Sequence, residues 1–203
     1  MPIPMTKHYT LYKFDELSDA AKEKAREWYR DGQLDYDWWD SVYETAKAAG
    51  AMLGIEIDNI NFSGFWSQGD GARFNGSYRF KKGWRKAILA EFGDGDTQRE
   101  LLDIGQQLHE AQARQFYKLV AVVTYYGRYE HSGCTSIGVS HDEDPYRDIG
   151  GCEDAVIQAL REFMDWIYNM LEDEYDWLCS DEAVDESIIA NEYTFLENGK
   201  RED

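Results

Sequence analysis

Between residues 55 and 80 the apolar repeat changes from helical to strand spacing, and this change constrains the fold more than any other stretch. "IEIDNINFSGFW" alternates through Ile55 and Ile57, then Ile60 and Phe62. "ARFNGSYRF" puts Ala72, Phe74, Gly76, Tyr78 and Phe80 on one face, and Arg73, Asn75, Ser77 and Arg79 on the other. A period of two gives each strand one apolar face. The intervening "SQGDG" has the Gly and Asp that a tight connection uses, so the two runs form a β-hairpin. A sheet with one apolar face has to be covered.

The flanking segments provide the cover. "FDELSDAAKEKAREWYRDG" has Ser18 as N-cap, Gly32 as stop, and Leu17, Ala21, Ala25 and Trp28 at helical spacing. "DYDWWDSVYETAKAAGAML" repeats the pattern through Trp39, Val42, Tyr43, Ala46 and Leu53 and closes at Gly54. After the hairpin come "GWRKAILAEF" and "DTQRELLDIGQQLHEAQARQF", then a second β-pair, "YKLVAVVTYYGRY" with "HSGCTSIGVS", rich in β-branched and aromatic residues. The longest helix starts near Cys152, with Val156, Leu160, Phe163, Ile167, Met170 and Leu171 as its apolar face. A last helix, "DEAVDESIIANE", is capped by Ser180. The order predicts one α+β domain over residues 1–203: an antiparallel sheet of about four strands in two hairpins, covered by helices. Residues 152–203 form an acidic helical C-terminal part.

Charge is distributed unevenly. The last 62 residues hold 20 of the 40 acidic and 4 of the 21 basic side chains, net −16, which leaves −3 for residues 1–141. A segment so negative repels phosphate and anionic lipid, which disfavours direct nucleic-acid or membrane binding and favours a basic protein partner. On the long helix Asp165, Glu172, Asp173, Glu174 and Asp176 lie away from the apolar stripe, and Asp181 and Glu182 continue into the next helix. Glu172 and Asp176 are about 6 Å apart along the axis, a spacing that can imitate a nucleic-acid backbone. The only cationic cluster is "RFKKGWRK", with Arg79, Lys81, Lys82, Arg85 and Lys86 around Phe80 and Trp84.

Other chemistry finds little support. His131, Cys134, His141 and Cys152 are zinc-type ligands, but their spacing is not that of a zinc knuckle. "HDEDPYRD" fails the calcium-loop pattern, having Arg147 where the glycine belongs. No nucleophile elbow, P-loop or zinc-protease motif occurs, so no catalytic residue, metal or cofactor is assigned. Three cysteines without close spacing, and no apolar leader in "MPIPMTKHYT", imply reduced thiols in a cytoplasm. In "FSGFWSQGDG", Gly69 and Gly71 are expected at positive φ and Asp70 at the turn position.

"YKFDELSDAAKEKAREWYR", "DYDWW", "FSGFWSQGDGA" and "SDEAVDESIIANEYTF" together resemble a family of small acidic bacteriophage and prophage proteins, loosely labelled hypothetical or antitoxin-like. The resemblance spans nearly the whole chain and implies a phage origin and action in the host cytoplasm. It raises Phe65, Trp66, Gln68 and Asp70 from turn residues to a recognition edge. The expected function is non-enzymatic binding and inhibition of a basic, nucleic-acid-handling host defence protein, with nucleic-acid mimicry by the acidic helices. The alternatives are an antitoxin masking a cationic toxin, and an enzyme acting on a nucleotide or small metabolite through Asp70, Gln68 and His131 or His141.

Overall fold

The structure is a computed structural model that describes residues 8–32, 34–125, 127 and 129–201. It is α+β, and the chain divides into two compact units, Trp39–Glu172 and Met1–Trp38 with Asp173–Asp203.

The 39–172 unit is built on four antiparallel strands in chain order: β2 (Ile55–Ser63), β3 (Gly71–Arg79), β4 (Leu119–Tyr125) and β5 (Thr135–His141). α2 (Asp40–Leu53) precedes them, α3 (Trp84–Glu91) and α4 (Asp96–Arg114) link β3 to β4, and α5 (Cys152–Cys179) follows. The alternation read at Ala72, Phe74 and Tyr78 is the buried face of β3, continued by Leu119, Ala121 and Val123 on β4 and Ile137 on β5. Helices cover that face: Phe163 of α5 meets Phe74 edge-on at 6.0 Å. Val156, Leu160, Phe163, Ile167 and Leu171 are buried as their spacing required, joined by Ala159, Met164 and Trp166, whereas Met170, expected on the same face, is only half-buried.

The start of β4 is fixed by a side chain. Gln112 of α4, fully buried, donates from Nε2 to the Leu119 carbonyl (2.7 Å) and accepts the Leu119 N–H at Oε1 (3.0 Å). A buried amide is tolerated because its donor and acceptor are both used. Gly54 ends α2 in the left-handed region, φ 87°, as expected.

The second unit packs α1 (Asp19–Gly32) with α6 (Asp181–Ala190) and a short antiparallel pair, β1 (Tyr12–Lys13) with β6 (Thr194–Phe195). Its core is Phe14, Leu17, Ala21, Ala25, Tyr29, Val184, Ile188 and Phe195. Tyr29 completes the α1 stripe, whereas Trp28 is half-buried, with its ring edge-on to Tyr193 and Phe195. Ser180 caps α6 as expected, its Oγ accepting the Ala183 N–H at 3.2 Å. Among the described residues no helix is long and apolar enough to cross a membrane.

Candidate functional site

The meander brings the β2–β3 and β4–β5 connections to the same end of the sheet. In the first, Asp70 Oδ2 accepts the N–H groups of Trp66 (3.0 Å) and Ser67 (2.7 Å), while its own N–H donates to the Ser67 carbonyl (3.0 Å). The carboxylate therefore holds the turn closed, helped by Gly69 at φ 101°. Phe65 packs between Phe62 (5.9 Å) and Tyr168 of α5 (5.5 Å), and the Tyr168 hydroxyl donates to the Gly64 carbonyl at 3.0 Å. Of the four residues expected as a recognition edge, Phe65 and Asp70 build the loop. Trp66, 77% exposed, and the exposed Gln68 are what it presents.

Gly71 corrects an expectation. It does not have positive φ; it lies in β3 where a Cβ would come 2.5 Å from His131 Cβ. Close approach of the neighbouring connection excludes a side chain there.

That connection folds over Arg73, which is 5% exposed, ion-paired with Glu130 and 3.6 Å from the centre of the Tyr125 ring. Burying a guanidinium is costly unless it is paired, and here a carboxylate and a ring face supply the compensation. Next to it, His131 accepts the Gly133 N–H at Nδ1 (3.1 Å), and its Nε2 lies 3.4 Å from Cys134 Sγ. The zinc-type set does not assemble. His131 and Cys134 meet, but His141 is at the other end of β5, about 20 Å away at strand rise, and Cys152 begins α5. Among the described residues no group of three or more His, Cys, Asp or Glu is placed to hold a metal.

The cationic stretch is partly engaged. Arg79 pairs with Asp142 (3.2 Å), Lys81 Nζ donates to the Ala51 carbonyl (2.8 Å), and Arg85 donates to Gln106 Oε1 (3.3 Å); outside the stretch, Lys118 pairs with Glu143 (2.7 Å). The hydrogen bond between Lys118 and Glu143 raises the lysine pKa and lowers that of the carboxylate.

The carboxylates fall into distinct settings. Within the 39–172 unit, α4 and α5 wall a groove of about 320 Å³, lined by Glu100, Asp103, Ile104 and Gln107 on one side and Glu162, Asp165, Trp166 and Asn169 on the other. Each helix contributes two carboxylates and an amide at i, i+3 and i+7, which lie on one helical face. Ile104 and Trp166 are buried and make an apolar floor. Gln107 and Gln158 donate to Glu162 (2.5 and 3.0 Å) and fix its orientation. Such a groove suits a lysine or arginine side chain, whose stem lies on apolar surface while its head meets carboxylates. Glu172 lies one turn past Asn169 on α5, half-buried.

In the other unit, Asp173 and Asp176 are exposed and Glu174 is half-buried on α5, and Glu182 is exposed on α6. Among the described residues no lysine or arginine pairs with Glu172 or with these four. Asp181 differs. It accepts Arg30 Nη2 at 2.5 Å and lies 3.4 Å from Arg26, and the hydrogen bond to Arg30 holds its carboxyl below the usual aspartate range. Arg26 also grips Asp185 with two hydrogen bonds, 2.6 and 2.7 Å.

Sequence reading found Asp165 but not Glu100, Asp103 or Glu162. The repeated acidic–acidic–amide spacing was visible, but that the two faces oppose each other depends on the hairpin between α4 and α5. Neither the curated proteins nor the solved structures give a match for this chain. Residues 38–181, which hold both the hairpin end and the α4–α5 groove, match the model of a family described as a domain of unknown function, DUF8835, and the chain belongs to that family.

Proposed function

We propose that this chain is a non-enzymatic phage accessory protein that binds a basic, nucleic-acid-handling host protein and inhibits it by occupying the surface its nucleic acid would take. The observation that carries the reading is the α4–α5 groove, where four carboxylates from two helices rim an apolar floor. A phosphate backbone offers a basic protein regularly spaced negative charge, and these carboxylates offer the same to lysines and arginines. Trp66 and Gln68 at the hairpin end add an aromatic anchor of the kind that dominates interface energetics. The phage origin and the host target rest on the family resemblance in "FSGFWSQGDGA" and its companion motifs.

The test is affinity capture from a bacterial lysate at low salt, comparing the wild-type chain with E100Q/D103N/E162Q/D165N. The expected result is a basic nucleic-acid-binding protein held by the wild type, released by salt or by competing DNA or RNA, and absent from the variant. Identical captured sets for the two chains would refute the reading.

A further inference from the structure

The sheet of the 39–172 unit has two edges of different construction. β2 carries exposed Glu56 and Asp58 and a register shift between Ile57 and Asn59. Charge and a bulge are the usual devices that stop an edge strand from pairing with another chain. β5 has neither. Its seven residues, "TSIGVSH", contain no Asp, Glu, Lys, Arg or Pro, and they pair with β4 without a break from Leu119↔His141 to Tyr125↔Thr135. In an antiparallel edge strand half of the backbone N–H and C=O groups point away from the neighbour. Among the described residues β5 has no second strand partner. Beside Val139 and Ser140 the edge opens into a cavity of about 280 Å³, bordered by residues 145–150.

Within β5, Ser136-Ile137-Gly138-Val139-Ser140 reads nearly the same in both directions about Gly138. We propose that the protein pairs with a second copy of itself through β5, antiparallel, on a two-fold axis at Gly138. The four strands would thereby become eight. In that register Ile137 stands beside Val139 of the second copy, so the apolar, helix-covered faces continue across the junction. Ser136 stands beside Ser140 of the second copy on the open face. At the axis two glycines meet, and a Cβ added at Gly138 would touch nothing within 4 Å.

Electrostatics favours this edge over the other. Two β2 edges would bring Glu56 and Asp58 against their like, whereas β5 itself carries no Asp, Glu, Lys or Arg, and the charged residues bordering its edge, Arg147, Asp148 and Glu153, are of both signs. Because each copy carries net −19, the remaining long-range repulsion is screened by salt, and self-association strengthens as salt rises. This dependence is opposite to that of binding a basic partner, so the two proposals can fail separately.

Sedimentation at about 0.05 M and about 0.5 M salt reads the assembly directly. The expected mass is twice 23.6 kDa, with the dimer fraction higher at the higher salt. Gly138→Lys sets two like charges opposite each other and should weaken the dimer at least about tenfold. In Gly138→Cys the two Cα atoms face each other at about 4.5–5.5 Å, within disulfide range, so mild oxidation should yield a covalent dimer joined 138 to 138. Glu56→Cys on the opposite edge should not crosslink. A 23.6 kDa species at both salt concentrations, a dimer that survives Gly138→Lys, or no 138–138 disulfide would each overturn the proposal. So would a monomer whose β5 instead takes up a foreign extended peptide.

Discussion

Two groups of carboxylates in this chain do opposite things. On α6, Asp181 and Asp185 meet Arg26 and Arg30 of α1 at hydrogen-bond distance and fasten two helices together. On α4 and α5, Glu100, Asp103, Glu162 and Asp165 rim a groove, and among the described residues no lysine or arginine pairs with them. Side chains of one type therefore act as internal fastening in one unit and as outward field in the other. A surplus counted along a sequence does not separate the two; only the positions of the arginines do.

The largest effect that would break this comparison is on binding. E100Q/D103N/E162Q/D165N should lower affinity for the basic partner about 100-fold, roughly 3 kcal/mol, because charge pairs across an interface couple at this scale. Its unfolding free energy should stay the same or rise slightly, since like charges are relieved. Titration calorimetry and denaturant melts on the same samples check both halves.

Arg26→Ala should do the reverse. The Arg26 side chain is 15% exposed and that of Asp185 27%, so the loss strands a half-buried carboxylate. About 2 kcal/mol of stability should go, less than for a fully buried pair, with partner affinity unchanged. Ser180→Ala, which removes the cap of the helix that carries both aspartates, should cost about 1 kcal/mol in the same melts.

The smallest effect is in acid. Asp181 has its folded-state pKa depressed, chiefly by the Arg30 hydrogen bond and then by the Arg26 and Arg30 charges. Its contribution is therefore complete above the unfolded aspartate value, about 3.9, and is lost as pH falls through the lower folded value. Thermal melts between about pH 6 and pH 3 should show an acid-side decline that flattens in Arg30→Gln. The groove quadruple variant should keep the decline.

The β2–β3 hairpin could be read in the sequence because Ile55–Phe62 and Ala72–Tyr78 alternate, and because alternation has one structural meaning when Gly and Asp separate the runs. α5 could be read for the same reason at helical spacing. The β4–β5 hairpin could be read from its β-branched and aromatic content. The β1–β6 pair could not: two residues per strand carry no period, and Tyr12 lies far along the chain from Phe195. Long sequence separation also hid the partners of Asp181, since Arg26 and Arg30 lie some 150 positions away. At the hairpin end, turn chemistry identified Asp70 correctly. The steric reason for Gly71 comes from His131, on a different hairpin, and leaves no local mark.

Phe65 leans on Tyr168, and the Tyr168 hydroxyl holds the Gly64 carbonyl. Tyr168 adjoins Asn169, a groove residue, and is three positions from Asp165. The loop that displays Trp66 and the wall that displays the carboxylates are thus moored to a single stretch of helix. A visitor that tugs on the tryptophan pulls on the same post that carries one bank of the groove.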